Sequence, residues 1–196
     1  MEKTPESQEL VLTEELERAR MELAILYEIS NAMRTTLHLD EILYIILTGV
    51  TAHSGLGFNR AMLFLVNERD RLIEGRMGIG PDTGEEAGRI WSKIETEKMD
   101  LEDLINAYKS SKKMLDSQFN RLVTQLKIPI YEKEGGIIAL AAHDGMPLHL
   151  NREALSKHQN DPILKFLNSE ELAIVPLRAK DKVNGLILAD NFITNK

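Results

Sequence analysis

Two histidines and an aspartate, His143, Asp144 and His149, share one irregular stretch, His143-Asp-Gly-Met-Pro-Leu-His-Leu150. Imidazole and carboxylate together could ligate a metal, or one imidazole a haem iron, and they could equally hydrogen-bond a small polar molecule. Their spacing follows no ligand pattern, so neither a metal nor a cofactor is assigned. Gly78-Ile-Gly80 with Gly84 is the second candidate, because glycines between a strand and a helix can cradle a dinucleotide. The spacing is G-x-G-x-x-x-G, however, and the preceding strand reads as half of an antiparallel hairpin, whereas that fold needs a parallel βαβ unit. A turn is expected there. No P-loop, G-x-S-x-G elbow or H-E-x-x-H helix occurs in the sequence. The adjacent acids Asp40-Glu41 and Glu170-Glu171 diverge on a helix and read as caps or solvated faces. The chain has no cysteine, which removes thiolate nucleophiles, thiolate metal sites and disulfides. No catalytic residue is assigned, and the chain is expected not to be an enzyme.

Charge narrows the partners. A net charge of −7 disfavours nucleic acid, whose phosphates call for an excess of Lys and Arg; Lys109, Lys112 and Lys113 read as a solvated helix end. His38, His53 and His158 read as helix-end residues, where imidazole meets free carbonyls. The longest uncharged run, 42–59, is broken by His, Asn, Gly and Thr, and no basic segment followed by an apolar one opens the chain. Neither export nor membrane contact is expected, and the lack of cysteine suits the cytoplasm. With 43% hydrophobic residues over 196 positions, one core is expected.

The elements that must position these residues begin with a helix. Leu12, Leu16, Ala19, Leu23, Leu26, Ser30, Met33 and Leu37 alternate by four and three, the seam of a coiled coil, with Glu and Arg around it. A homodimer through this seam is expected. Asp40 is the expected cap of a second, mostly buried helix, Glu41 to His53, stopped by Gly55 and Gly57. Arg60 to Val66 and Gly185 to Asn191 are apolar strands expected side by side in mid-sheet, and Leu172 to Arg178 forms a hairpin with the latter. Asn67-Glu-Arg-Asp70 turns the chain into an outer strand, Arg71 to Met77. Thr83-Gly-Glu-Glu86 suggests a capping box for a helix carrying Ile90, Trp91 and Ile94. Asp100 heads another, and Phe119, Leu122, Val123 and Leu126 mark a third. Ile137 to Ala142 is expected as a strand, followed by short helices begun at Asn151 and at Asp161-Pro162.

Taken in order, Leu26-Tyr-Glu-Ile-Ser30, Leu39-Asp-Glu-Ile-Leu43, Gly57-Phe-Asn-Arg-Ala61 and the closing hairpin, Val175-Pro-Leu, a charged turn, then Gly185-Leu-Ile-Leu-Ala-Asp-Asn191, resemble the GAF domains of bacterial signalling proteins, sensor histidine kinases especially. The resemblance spans Leu23 to Thr194. It implies a regulatory module of a two-component or similar system: a small ligand binds, dimer helices shift, and an output domain beyond Lys196 responds, the chain being a fragment of a larger protein. GAF-like methionine sulfoxide reductases work through cysteines, which this chain lacks, as it lacks the cysteine that attaches a bilin and the Asn-Lys-Phe-Asp-Glu pattern of cyclic-nucleotide-binding members. A ligand-free structural dimerisation module is the alternative.

The expected architecture is therefore α+β. Residues 1–38 form a signalling and dimerisation helix, and 39–196 a GAF-like domain with a helical segment at about 81–128. Its antiparallel sheet has five or six strands, with helices on one face and a pocket roofed by loops and helices on the other. Trp91, His143, Asp144 and His149 are the expected pocket residues, Trp91 as a stacking wall and the others as hydrogen-bonding groups around a small polar molecule.

Overall fold

The computed structural model describes residues 5–193 except 35, 37, 53–55, 100, 112–115 and 159, without the side chains of 5–10, 101, 108–111 and 132. Leu37, His53, Gly55, Asp100, Lys112 and Lys113 thus lie outside the described residues, as do the side chains of Leu101, Tyr108 and Lys109.

Two apolar strands form the middle of the sheet. β1 (Arg60–Asn67) and β6 (Lys182–Asp190) run antiparallel, with Met62 opposite Leu188 and Phe64 opposite Leu186. Residues 185–190 are all buried, as a run without charge before Asp190 requires. β2 (Leu72–Ile79) returns along β1 through a turn in which the Asn67 side chain accepts the Asp70 N–H at 3.2 Å. With β3 (Lys127–Pro129), β4 (Leu148–Leu150) and β5 (Leu172–Ala179), the sheet has six antiparallel strands in the order β3-β2-β1-β6-β5-β4. The short β3 lies outside β2, which is therefore not an edge strand.

Alternation along the strands makes two apolar faces. Ala61, Leu63, Ile187 and Ala189 meet Leu43, Tyr44 and Leu47 of α2 (Leu39–Thr51). Met62, Phe64, Leu186 and Leu188 meet the opposite layer, built from α5 (Gln118–Gln125), α6 (Glu132–Asp144) and α8 (Pro162–Leu167), with the short α7 (Arg152–Ser156) beside them. That layer is filled by side chains, among them Phe119, Val123, Ile137, Ile138, Ile163 and Leu167. Helices α1 (Pro5–Met33) and α4 (Leu101–Ser111) lie outside α2, and α3 (Gly84–Glu97) follows β2. Among the described residues no helix is long and apolar enough to cross a membrane.

Two sequence expectations are corrected. Ile137–Ala142 is the body of α6, not a strand. A short apolar run satisfies a buried helix and a buried strand alike; here Ala139, Ala141 and Ala142 favour the helix. The Asp161 carboxylate accepts the Ile137 N–H at 2.7 Å and so caps the run after Gly136, where φ is 61°. Asp40 is not a cap: α2 begins two residues earlier than expected, at Leu39, with His38 at its N-cap, and Asp40 in the first turn pairs with Arg76.

α1 has two apolar stripes. Ile29, Ala32 and Met33 pack over Ile45 and Ile105, and Ile29 lies where a Cβ on Gly49 would meet its Cδ1 at 2.4 Å, so glycine lets α1 approach α2 closely. The other stripe, Leu12, Leu16, Leu23 and Leu26, is 52–66% exposed. Met33, expected in the seam, packs on its own domain.

Candidate functional site

Past the end of β2, helices α2, α3, α4 and the first turn of α5 enclose a cavity of about 700 Å³. Each wall is set by local chemistry. α3 starts at Thr83, whose hydroxyl accepts the Glu86 N–H at 3.2 Å, while the Glu86 carboxylate reaches back to the Asp82 N–H at 2.6 Å, one residue beyond a standard capping box. It ends at Lys98, left-handed at φ 50°, where the Met99 N–H returns to the Ile94 carbonyl at 3.0 Å. That reversal sets Ile94 and Met99 together in the wall, with Ile90 and Trp91 one turn earlier. Tyr44 and Thr48 of α2 and Leu104 and Ala107 of α4 supply the facing side.

One carboxylate braces the rim of the cavity. Asp82 accepts the backbone N–H groups of Gln118 and Phe119, so the N-terminus of α5 is already occupied by an anion. Asn120 accepts the buried Gly78 N–H at 2.9 Å and anchors α5 to β2. Arg121 holds Asp116 at 2.9 Å. Thr48 differs from these: it is 4% exposed, and its buried hydroxyl has no hydrogen-bond partner among the described residues.

Of the four expected pocket residues, Trp91 alone lines this cavity. His143 and Asp144 end α6, exposed, with His143 Nδ1 3.1 Å from the Asp144 carboxylate. His149 lies on β4, at the far edge of the sheet, its Nε2 2.6 Å from Glu171. The four do not converge, because the helix at 137–144 carries His143 away on the layer opposite α2. Gly78 and Gly80 serve packing: a Cβ on Gly78 would meet Val123 Cγ2 at 2.8 Å, and Gly80, at φ 146°, lies against Arg60 and Asn59. Among the described residues no group of three or more His, Asp or Glu is placed to hold a metal.

A buried ion pair was missed. Arg60 Nε and Nη2 lie 3.0 and 2.6 Å from the Asp190 carboxylate, Nη2 also donates to the Leu167 carbonyl at 2.9 Å, and the Phe192 ring stands 4.2 Å from the guanidinium carbon. Burial lifts the Asp190 carboxyl above its usual range, opposed by the Arg60 hydrogen bonds and charge and by the Phe192 N–H. The signal was present: opposite charges end two apolar strands at paired positions. Asn59 beside it accepts the Ile193 N–H at 2.8 Å and lines the cavity, linking the cavity to the chain after β6.

An antiparallel sheet in this strand order, with α2 on one face and a helical roof on the other, defines a GAF-like fold. Solved structures agree. The chain is similar to residues 122 to 287 of a methyl-accepting chemotaxis protein (15% identity, TM-score 0.54, covering 86% of this chain and 81% of that one). It is similar to the GAF domains of phosphoenolpyruvate-protein phosphotransferases from Acinetobacter (16%, 0.54, 88% and 77%) and Coxiella burnetii (13%, 0.55, 87% and 77%). No family model matches the chain, and no curated protein matches it either. At these identities the likeness is one of fold.

Proposed function

We propose that the chain is a sensory regulatory module of a cytoplasmic signalling protein, two-component or related. A small molecule binds in the cavity between α2, α3, α4 and α5, no reaction is catalysed, and occupancy is relayed through α1 of a parallel homodimer to an attached output domain. The observation that carries this reading is the position of α4. Leu104 and Ala107 face the cavity, while Ile105 packs with Ile45 beneath Ile29, Ala32 and Met33 of α1. A ligand that moves α4 therefore moves the floor on which α1 rests.

A second copy of the chain is the proposed cover for the exposed stripe of α1. Four large apolar side chains in heptad register on a lone helix are an interaction surface. Glu15 and Arg20 flank the seam at the five-residue interval that pairs across a parallel two-stranded coil. The filled layer under α5, α6 and α8 favours the second reading, a ligand-free dimerisation module, in one respect: it leaves no ligand to be expected there.

Native mass spectrometry of the purified full chain separates the two. A dimer retaining a small molecule that is lost from an Ala107→Phe variant supports the sensor. A dimer of bare mass, unchanged by incubation with a metabolite library, leaves only the dimerisation module.

A further inference from the structure

We infer that the cavity controls a clasp on the chain that leaves β6. Asn59 and Arg60 hold residues 191–193, and the cavity wall bears on the same two residues, so a ligand that shifts the wall changes the hold. The inference rests on the reading that the cavity is a ligand site.

The clasp is polar and aromatic. The Asn59 side chain accepts the Ile193 N–H at 2.8 Å, and Asn191 Oδ1 accepts the Asn59 N–H at 3.1 Å. Asp190 Oδ1 accepts the Phe192 N–H at 3.3 Å while it holds Arg60, whose guanidinium carbon stands 4.2 Å from the centre of the Phe192 ring. Phe192 and Ile193 are half-buried, and neither belongs to the buried core. A net hydrogen bond and a cation–π contact are each weak, so a modest push from the wall is enough to tip the hold.

Two parts of the cavity wall bear on the clasp. Gly80 lines the cavity and lies so close to the start of β1 that a Cβ there would stand 2.8 Å from the Asn59 carbonyl oxygen and 2.9 Å from Arg60 Cα. With no slack between these backbones, movement of the wall at 79–81 displaces Asn59 and Arg60. Ser117 and Gln118, in the wall at the start of α5, adjoin Phe119, whose ring centre lies 5.2 Å from the Arg60 guanidinium carbon. Arg60 thus meets one ring from the wall helix and another from the departing chain. The clasp has two arrangements, with the Ile193 N–H on Asn59 or on water, and the wall biases the choice without any hydrogen bond from Asn59 to the ligand.

Amide hydrogen exchange of the full chain, read by NMR, tests the inference. The Ile193 rate is taken relative to that of Leu188 in mid-sheet, so that global loosening cancels. Asp82→Ala, which frees the first turn of α5, is expected to raise this ratio about 5-fold or more. In the reverse direction, Phe192→Ala is expected to raise the Phe119 rate relative to Leu188 by a similar factor. A phenyl ring placed in the cavity by Ala107→Phe is expected to move the Ile193 ratio by a similar factor in either direction. Asn151→Ala, which removes a cap beside the β4 edge of the sheet, is expected to move neither ratio. A ratio that stays put in Asp82→Ala or in Phe192→Ala, or that moves equally in Asn151→Ala, overturns the clasp; should Asp82→Ala fail to fold, Phe192→Ala decides alone. An Ile193 ratio unmoved by Ala107→Phe overturns control by the cavity. These results leave the sensor reading to native mass spectrometry, and if the ratios move as expected but the wild type retains no small molecule, the sensor reading and ligand control of the clasp both fall.

Discussion

Arg60 is buried, and a buried guanidinium is tolerable here because Asp190 meets it with two hydrogen bonds and Leu167 offers a carbonyl. Asp190→Ala removes both oxygens that accept from the Arg60 guanidinium, leaves its buried donors unpaired, and is expected to destabilise the fold by about 3 kcal/mol. Arg60→Met with Asp190→Leu, which removes both charges, is expected to recover most of the loss in urea unfolding. Sign matters for pH. Because burial outweighs the Arg60 interactions and raises the Asp190 pKa, the folded protein holds this proton more tightly than the unfolded chain. Between the usual aspartate value and the raised one, stability from this group falls as pH rises. The difference in unfolding free energy between wild type and Asp190→Ala should therefore shrink with rising pH through that window; a difference that grows would mean that Arg60 wins. Asp161 is a second residue joining distant segments, accepting the Ile137 N–H at 2.7 Å and the Ile163 N–H at 3.0 Å. Losing both caps in Asp161→Ala is expected to cost about 2–4 kcal/mol, at about 1–2 per cap.

Among the elements, α5 tests how tightly helix and sheet are fitted. A Cβ on Gly75 of β2 would lie 1.9 Å from the Val123 carbonyl oxygen, a backbone atom that cannot swing aside. Gly75→Ala is expected to cost about 2–3 kcal/mol by overpacking. Gly88→Ala in the exposed face of α3, where a Cβ meets nothing within 4 Å, is expected to stabilise by about 1 kcal/mol. Thermal melts of the two variants should move in opposite directions. Elements of this kind were legible where a local rule decides them: the strands around Met62 and Leu188, and the caps at Thr83, Asn151 and Asp161, all follow from short-range patterns. Ile137–Ala142 was not legible, because its helix depends on Asp161, 24 residues away. For the same reason Trp91 was foreseen as a wall but its neighbours were not. The cavity is made by packing α4 against α2, a long-range contact that no periodicity encodes.

At the scale of the whole molecule, the proposed sensor is a statement about coupling between the cavity and the α1 seam. Changing Leu16 and Leu23 to Lys places four charges in the centre of a two-stranded coil and is expected to give a monomer by light scattering; a mass that stays dimeric removes the seam as the interface. The monomeric variant then measures the coupling. If ligand strengthens or weakens the dimer by some factor, dimerisation must change ligand affinity by the same factor, since binding free energies are reciprocal, and about 5–150-fold is usual for coupled sites. Ile105 is the contact through which α4 reaches α1, and it is buried with Ile45 away from the cavity wall formed by Leu104. Ile105→Ala is therefore expected to leave the cavity able to bind and the seam able to pair, yet to bring both factors towards one. Dialysis of a bound probe at protein concentrations above and below the dimer dissociation constant reads one factor, and sedimentation with and without the probe reads the other. Factors of one in the wild type would mean that α4 transmits nothing, and equal, undiminished factors in Ile105→Ala would move the path to the direct contact of Ile29 with Gly49.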